Sequence, residues 1–157
     1  MKTEHSLITL VFLLILFASI IGTALATTET LTVPPHQEIT RTLSLREGDR
    51  VSGSISVIGG DENDIDFLVV DPDGIIVLQV ERLTHKDFSF NAEKSGTYVL
   101  RFDNSFSLLA SKQVTLNYDI KHYIMGIPQE QFFLLVIVAV IVIAIIVFAA
   151  SGSLRTV

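Results

Sequence analysis

The sequence contains no cysteine. That excludes disulfides and Cys-based metal centres, so a domain outside a cytoplasm must hold together by core packing alone. Basic residues are few: 11 Lys and Arg stand against 17 Asp and Glu, for a net charge of −6. The middle of the chain has no Lys/Arg cluster, which argues against nucleic acid, whose phosphates need a concentrated positive surface. It argues equally against a domain lying flat on anionic lipid. The four histidines, His5, His36, His85 and His122, are scattered, without the local pair usual in a zinc site. Nucleophile elbow, phosphate loop and dinucleotide fingerprint are all missing. No catalytic residue is therefore assigned, and the chain is expected not to be an enzyme. No Asn-x-Ser/Thr acceptor for glycosylation occurs either.

What the chain has in excess is hydrocarbon. Of its 157 residues 49% are hydrophobic, and the mean hydropathy is +0.54. The excess sits in two blocks of about 20 residues, each long enough at ~1.5 Å per residue to cross a ~30 Å hydrocarbon core. Leu7 to Ala26 carries only Thr9, Ser19 and Thr23 as polar side chains, follows a head with Lys2, and ends in the small-x-small run Ala24 to Ala26. Residues 1–26 read as a secretory signal. Cleavage after Ala26 and retention as an uncleaved anchor both stay open, and both export the middle region. Phe132 to Ala150 has no polar side chain at all and reads as a transmembrane helix that contacts the bilayer. It holds neither a Gly-x-x-x-Gly motif nor an ionisable residue, as expected of an anchor. The tail, 151–157, is "SGSLRTV", whose Arg155 is a positive-inside cue for a cytoplasmic C-terminus.

Residues 27–123 alternate as strands do. Val51, Ile55 and Val57 share a face with Gly53, opposite Ser52, Ser54 and Ser56. Ile65, Phe67 and Val69 form a second row, and Phe88, Phe90 and Ala92 a third. "GTYVLRFDNSFSLLASKQVTLNYDI" reads as a β-hairpin, with Tyr98, Leu100 and Phe102 inward before the loop and Val114, Leu116, Tyr118 and Ile120 inward after it. Turns are expected at Glu47–Gly48–Asp49, at "EKSG", and at "DPDG", where Pro72 presets φ and Gly74 accepts positive φ. "IIVLQV" reads as a buried strand. The fold class expected is an all-β antiparallel sandwich of about eight strands. A linker, 124–131, with Gly126 and Pro128 joins it to the membrane span.

The stretch Gly96–Tyr98, Leu100, "FDNSFS" (Phe102 to Ser107) and Lys112–Val114–Leu116 resembles the GOLD domain of the emp24/gp25L/p24 family, as do "DIDFLVVDPDG" and "FSFNAEKSG". The cover runs from about Glu38 to Ile120. The resemblance implies a GOLD-like β-sandwich, extracellular or lumenal, in a single-pass membrane protein. It also implies protein or cargo binding linked to transport, with self-association among the partners. The family's usual cysteine pair and heptad-patterned helix have no counterpart here. A looser likeness to sandwiches appended to secreted peptidases keeps that class open. An accessory subunit of a membrane complex and a cation-binding extracellular sensor stay open as well.

Two loops are candidate sites. Asn104, Ser105 and Phe106 are read as a partner-binding loop; alternatively Asp103 and Asn104 only form the turn, and Phe106 plugs the end of the sandwich. Asp61, Asp64 and Asp66 offer the oxygen ligands a Ca²⁺ ion needs, and Ca²⁺ is the single cofactor candidate. The alternative is a solvated acidic loop, with Asp64 and Asp66 both facing outward.

Overall fold

The computed structural model describes residues 26–60 and 62–153. The signal segment up to residue 25, Asp61 and the end of the tail lie outside the described residues. Eight strands run β1 (Thr27–Val33), β2 (Glu38–Leu45), β3 (Arg50–Ile58), β4 (Ile65–Val70), β5 (Ile76–Leu83), β6 (His85–Asn91), β7 (Gly96–Asp103) and β8 (Lys112–Lys121). They form two antiparallel four-stranded sheets, ordered β1-β8-β3-β6 and β2-β7-β4-β5. That order is a jelly roll: the chain keeps switching sheets, and of these eight strands only β4 and β5 are consecutive and paired.

The expected hairpin over Gly96 to Ile120 is therefore corrected. β7 pairs with β2 and β4, whereas β8 pairs with β1 and β3 in the other sheet. The loop between them is an arch that crosses the ~10 Å between packed sheets. Alternation reveals which face a side chain takes and not which strand lies beside it. The faces are as expected. Leu100, Phe102, Val114 and Leu116 are all buried, as are Val51, Ile55 and Val57. Phe67 sits at the centre, its ring centroid 5.2 Å from those of both Phe88 and Phe102. Each such side chain is worth roughly 1.5–3 kcal/mol, so nineteen buried apolar residues hold the two sheets without a crosslink.

"IIVLQV" is not a buried strand. β5 is the edge of its sheet, and within this run only Leu78 and Val80 turn toward the core, ahead of the buried Leu83 at the strand's end. Ile75, Ile76 and Val77 are 58%, 50% and 38% exposed. An uninterrupted apolar run is ambiguous between a two-sided buried strand and an edge.

At the end of the sandwich where β8 finishes, Asp49 is buried in the β2–β3 turn. Its Oδ2 accepts the Arg46 N–H at 2.8 Å, and its Oδ1 lies 2.9 Å from His122 Nδ1. Beyond β8, the short strands β9 (Tyr123–Ile124) and β10 (Ile127–Pro128) flank Met125 and Gly126, both at positive φ. The helix α1 spans Gln129–Ser153, three residues earlier at its start than the apolar block. Its apolar part, Gln129–Ala150, is 22 residues long, about 33 Å at ~1.5 Å per residue. Among the described residues it is the one helix long and apolar enough to cross a bilayer.

Gly53 shows how tightly the central strand is packed. A Cβ there would stand 2.2 Å from the Asn117 carbonyl oxygen and 3.0 Å from the Phe88 ring. Neither neighbour is a flexible side-chain tip, so Gly53→Ala forces backbone and ring to shift. We expect a loss of roughly 1–3 kcal/mol, read as a lower urea midpoint with an unchanged slope; Ser54→Ala, on the opposite face, serves as the control.

Candidate functional site

The candidate loop follows from β7 leaving one sheet and β8 entering the other. Residues 104–111 close the end of the sandwich opposite the end at which β8 finishes. The loop opens with an Asx turn: Asp103 Oδ1 accepts the Ser105 N–H at 2.7 Å. Asn104 then turns inward and is 0% exposed. Its amide Nδ2 donates to the carbonyls of Val33, Pro34 and Ala110 at 3.0–3.1 Å. Its backbone N–H donates to Gln37 O at 2.9 Å, and its carbonyl accepts from His36 and Ser107. Asn104 thus ties the loop to the β1–β2 connection and cannot itself touch a partner. Its Oδ1 is buried with no protein hydrogen bond. Ser105 is exposed, and Phe106 is half-buried.

Phe106 is held by a cation. The Arg82 guanidinium carbon lies 3.5 Å from the Phe106 ring centroid. Arg82 Nη1 donates to Asp64 Oδ2 at 2.8 Å, and Asp64 Oδ1 accepts from Lys112 Nζ at 3.0 Å. Lys112 is 3% exposed and Asp64 4%. The expectation that Asp64 faces outward is corrected here. Asp64 precedes β4, where strand alternation has not yet begun, and it turns inward to neutralise a buried ammonium. Asp66 meets Arg82 through the main chain instead, its Oδ1 accepting the Arg82 backbone N–H at 2.8 Å.

The three acidic candidates are thus dispersed in role. Both oxygens of Asp64 are engaged by Lys112 and Arg82, so a cation there would have to displace them. Asp61 lies outside the described residues. Among those described, no cluster of three or more His, Cys, Asp or Glu stands close enough to hold a metal. Asp71 forms its turn, its Oδ1 accepting the N–H groups of Asp73 and Ile75 at 2.9 and 2.7 Å.

Sequence reasoning missed Lys112, Arg82 and the two leucines beyond Phe106. Leu108 and Leu109 are 75% and 93% exposed, at the tip of a loop whose base is clamped by Asn104. One signal for Lys112 was available: it shares the inward row of Val114 and Leu116. A lysine in such a row demands a buried carboxylate.

Burial, the largest single influence on the Asp64 carboxyl, pushes its pKa up. The hydrogen bonds and charges of Arg82 and Lys112 together outweigh it and hold the group below the usual carboxylate range.

The sandwich with its apolar helix defines a class, a membrane-anchored β-sandwich protein. The family model described as emp24/gp25L/p24 family/GOLD matches residues 30–133. The chain belongs to that family. Human transmembrane emp24 domain-containing protein 7 is 30% identical over 76 residues, covering 48% of this chain and 34% of that protein. The Arabidopsis thaliana transmembrane emp24 domain-containing protein p24beta3 is 36% identical over 77 residues, covering 45% and 36%. The chain thus spans about a third of the length of these relatives. Among solved structures, a periplasmic inhibitor of g-type lysozyme from Aeromonas hydrophila overlays with a TM-score of 0.44 at 16% identity, covering 62% of this chain and 88% of that one. A likeness at that level bears on neither fold nor function.

Two outcomes follow from the buried pair. Asp64→Asn leaves the Lys112 ammonium buried without a counter-charge, at a cost of about 3–5 kcal/mol; Asp64→Leu combined with Lys112→Met recovers most of it in thermal melts. The second concerns pH. The carboxyl of Asp64 is more acidic folded than unfolded, so its contribution is complete above the ordinary carboxyl value of 3.8 and is lost as pH falls through the folded value. The stability of the wild type should therefore fall below about pH 4 more steeply than that of the Leu/Met double variant.

Proposed function

We propose that this chain is a membrane-anchored, non-catalytic interaction module that binds protein partners or cargo on the non-cytoplasmic face and serves protein transport. Family membership supports the transport setting, and the signal-like head with the apolar anchor supports the orientation. The observation that carries the reading is the tip of the β7–β8 arch. Leu108 and Leu109 project from a loop fixed by a fully buried asparagine. An apolar tip on a rigid base binds without first losing loop entropy. Ser105 and Phe106 flank the tip, Phe106 already oriented by Arg82. Asn104 is a positioning residue, because it has no exposed surface.

The test is affinity capture from native membranes with the full chain as bait. Leu108→Ser with Leu109→Ser should abolish capture of the partners while leaving the melting temperature unchanged, since neither side chain contributes to the core. Retention of the same partners by that variant would refute the loop as the binding surface.

A further inference from the structure

We infer that a cleft beside the end of β8 holds the phosphate of an anionic phospholipid headgroup. The cleft has a volume of about 580 Å³ and is lined by Glu47 of the β2–β3 turn, Arg50 at the start of β3, Asn91 at the end of β6, and Tyr123 and Met125 just after β8. In the ladder Arg50 lies between Lys121 on one side and Asn91 on the other, so the three stand in one row on the outer face of the sheet. All three are exposed. Like charges directly opposite each other in a ladder destabilise it. Here no acid relieves them: Glu47 in the lining and Asp119 on the face of Lys121 form no ion pair with either cation. Among the described residues, the side chains of Arg50, Lys121, Asn91 and Tyr123 have no hydrogen-bond partner. Four donors, two of them cationic, suit a phosphate, whose oxygens accept charge-assisted hydrogen bonds.

The site is built before it is filled. Gly48 N–H donates to Ala92 O and Ala92 N–H to Asp49 O, both at 2.8 Å, which fixes the β2–β3 turn to the end of β6. The buried Asp49 carboxylate also meets His122, the residue between Lys121 and Tyr123, at 2.9 Å. Donors already in place lose little freedom on binding. The anchor indicates where the phosphate comes from. Tyr123 lies six residues before Gln129, where α1 begins, a span of at most about 20 Å. On so short a tether, headgroups reach an effective concentration that a free solute does not. Arg50 and Lys121 are far apart in the sequence, and only strand pairing makes them neighbours. One pair of cations takes one headgroup and does not lay the domain flat on the leaflet. This inference shares the membrane anchor with the functional reading and is independent of Leu108 and Leu109.

The sequence has no tryptophan. Met125→Trp, at a position 90% exposed, therefore places a single fluorescent reporter in the lining. The full chain carrying it is reconstituted in nanodiscs of phosphatidylcholine, with and without phosphatidylglycerol. Phosphatidylglycerol should move the emission to shorter wavelength and saturate, whereas inorganic phosphate added to plain discs should not. In the same background, Arg50→Gln with Lys121→Gln should weaken the response to phosphatidylglycerol about thirtyfold, and Lys121→Gln alone about fivefold. Neither change should lower the melting temperature, because both side chains are exposed and their mutual repulsion is removed. No shift with phosphatidylglycerol, an equal shift in plain discs, or a response to inorganic phosphate alone would overturn the proposal. So would an undiminished shift, or a lower melting temperature, in the double Gln variant.

Discussion

A lysine ammonium at the edge of a hydrocarbon core stays charged only if a carboxylate meets it there. Lys112 opens β8 in the row of Val114 and Leu116, and Asp64 reaches in from the β3–β4 loop to meet it at 3.0 Å. The second oxygen of the same carboxylate holds Arg82, at the end of β5. Arg82 in turn lies over the Phe106 ring in the β7–β8 arch. One buried carboxylate thus links β5 of one sheet to β8 of the other, which strand pairing does not join. With Asn104, which fastens the arch to the β1–β2 connection, it fixes the geometry of that whole end of the sandwich.

The jelly-roll path explains why such devices are needed. A hairpin turn is held by the ladder on either side of it. An arch between sheets has no ladder, so its backbone groups must find other partners. Asn104 supplies them, with Nδ2 serving three carbonyls and its main chain serving Gln37, His36 and Ser107. Once the base of the arch is satisfied in this way, its tip carries Leu108 and Leu109 into solvent. The same path leaves β5 at an edge. Ile76 and Val77 stay exposed there, whereas its inward residues Leu78, Val80 and Leu83 complete the core.

Face assignments were legible from residue order because the period of a strand is two and local. The rows of Ile65, Phe67 and Val69, and of Phe88, Phe90 and Ala92, are buried as alternation requires. Strand partners were not legible, because pairing is set by which sheet each strand joins, and alternation is blind to that. The exposure of Ile75 to Val77 was hidden for a related reason: a continuous apolar run fits a central strand as well as an edge. Asp64 was misread because its neighbours Ile65 and Asp66 set a phase that starts only at β4. Of the loop residues, Asp103 forms its own turn as its type suggests, whereas Asn104 serves carbonyls 70 and 71 residues away, beyond the reach of a local rule.

The central claim is that buried polar contacts, rather than ladder pairing, make the β7–β8 arch a rigid platform. Amide hydrogen exchange measures this directly. The Asn104 N–H, bonded to Gln37 O, and the Ser107 N–H, bonded to Asn104 O, should be protected in the wild type. In Asn104→Ala both should exchange at least about tenfold faster, a local opening easier by about 1.4 kcal/mol or more, while amides of β3 and β8 keep their protection. Fast exchange at both positions in the wild type, or unchanged protection in the variant, would contradict the account.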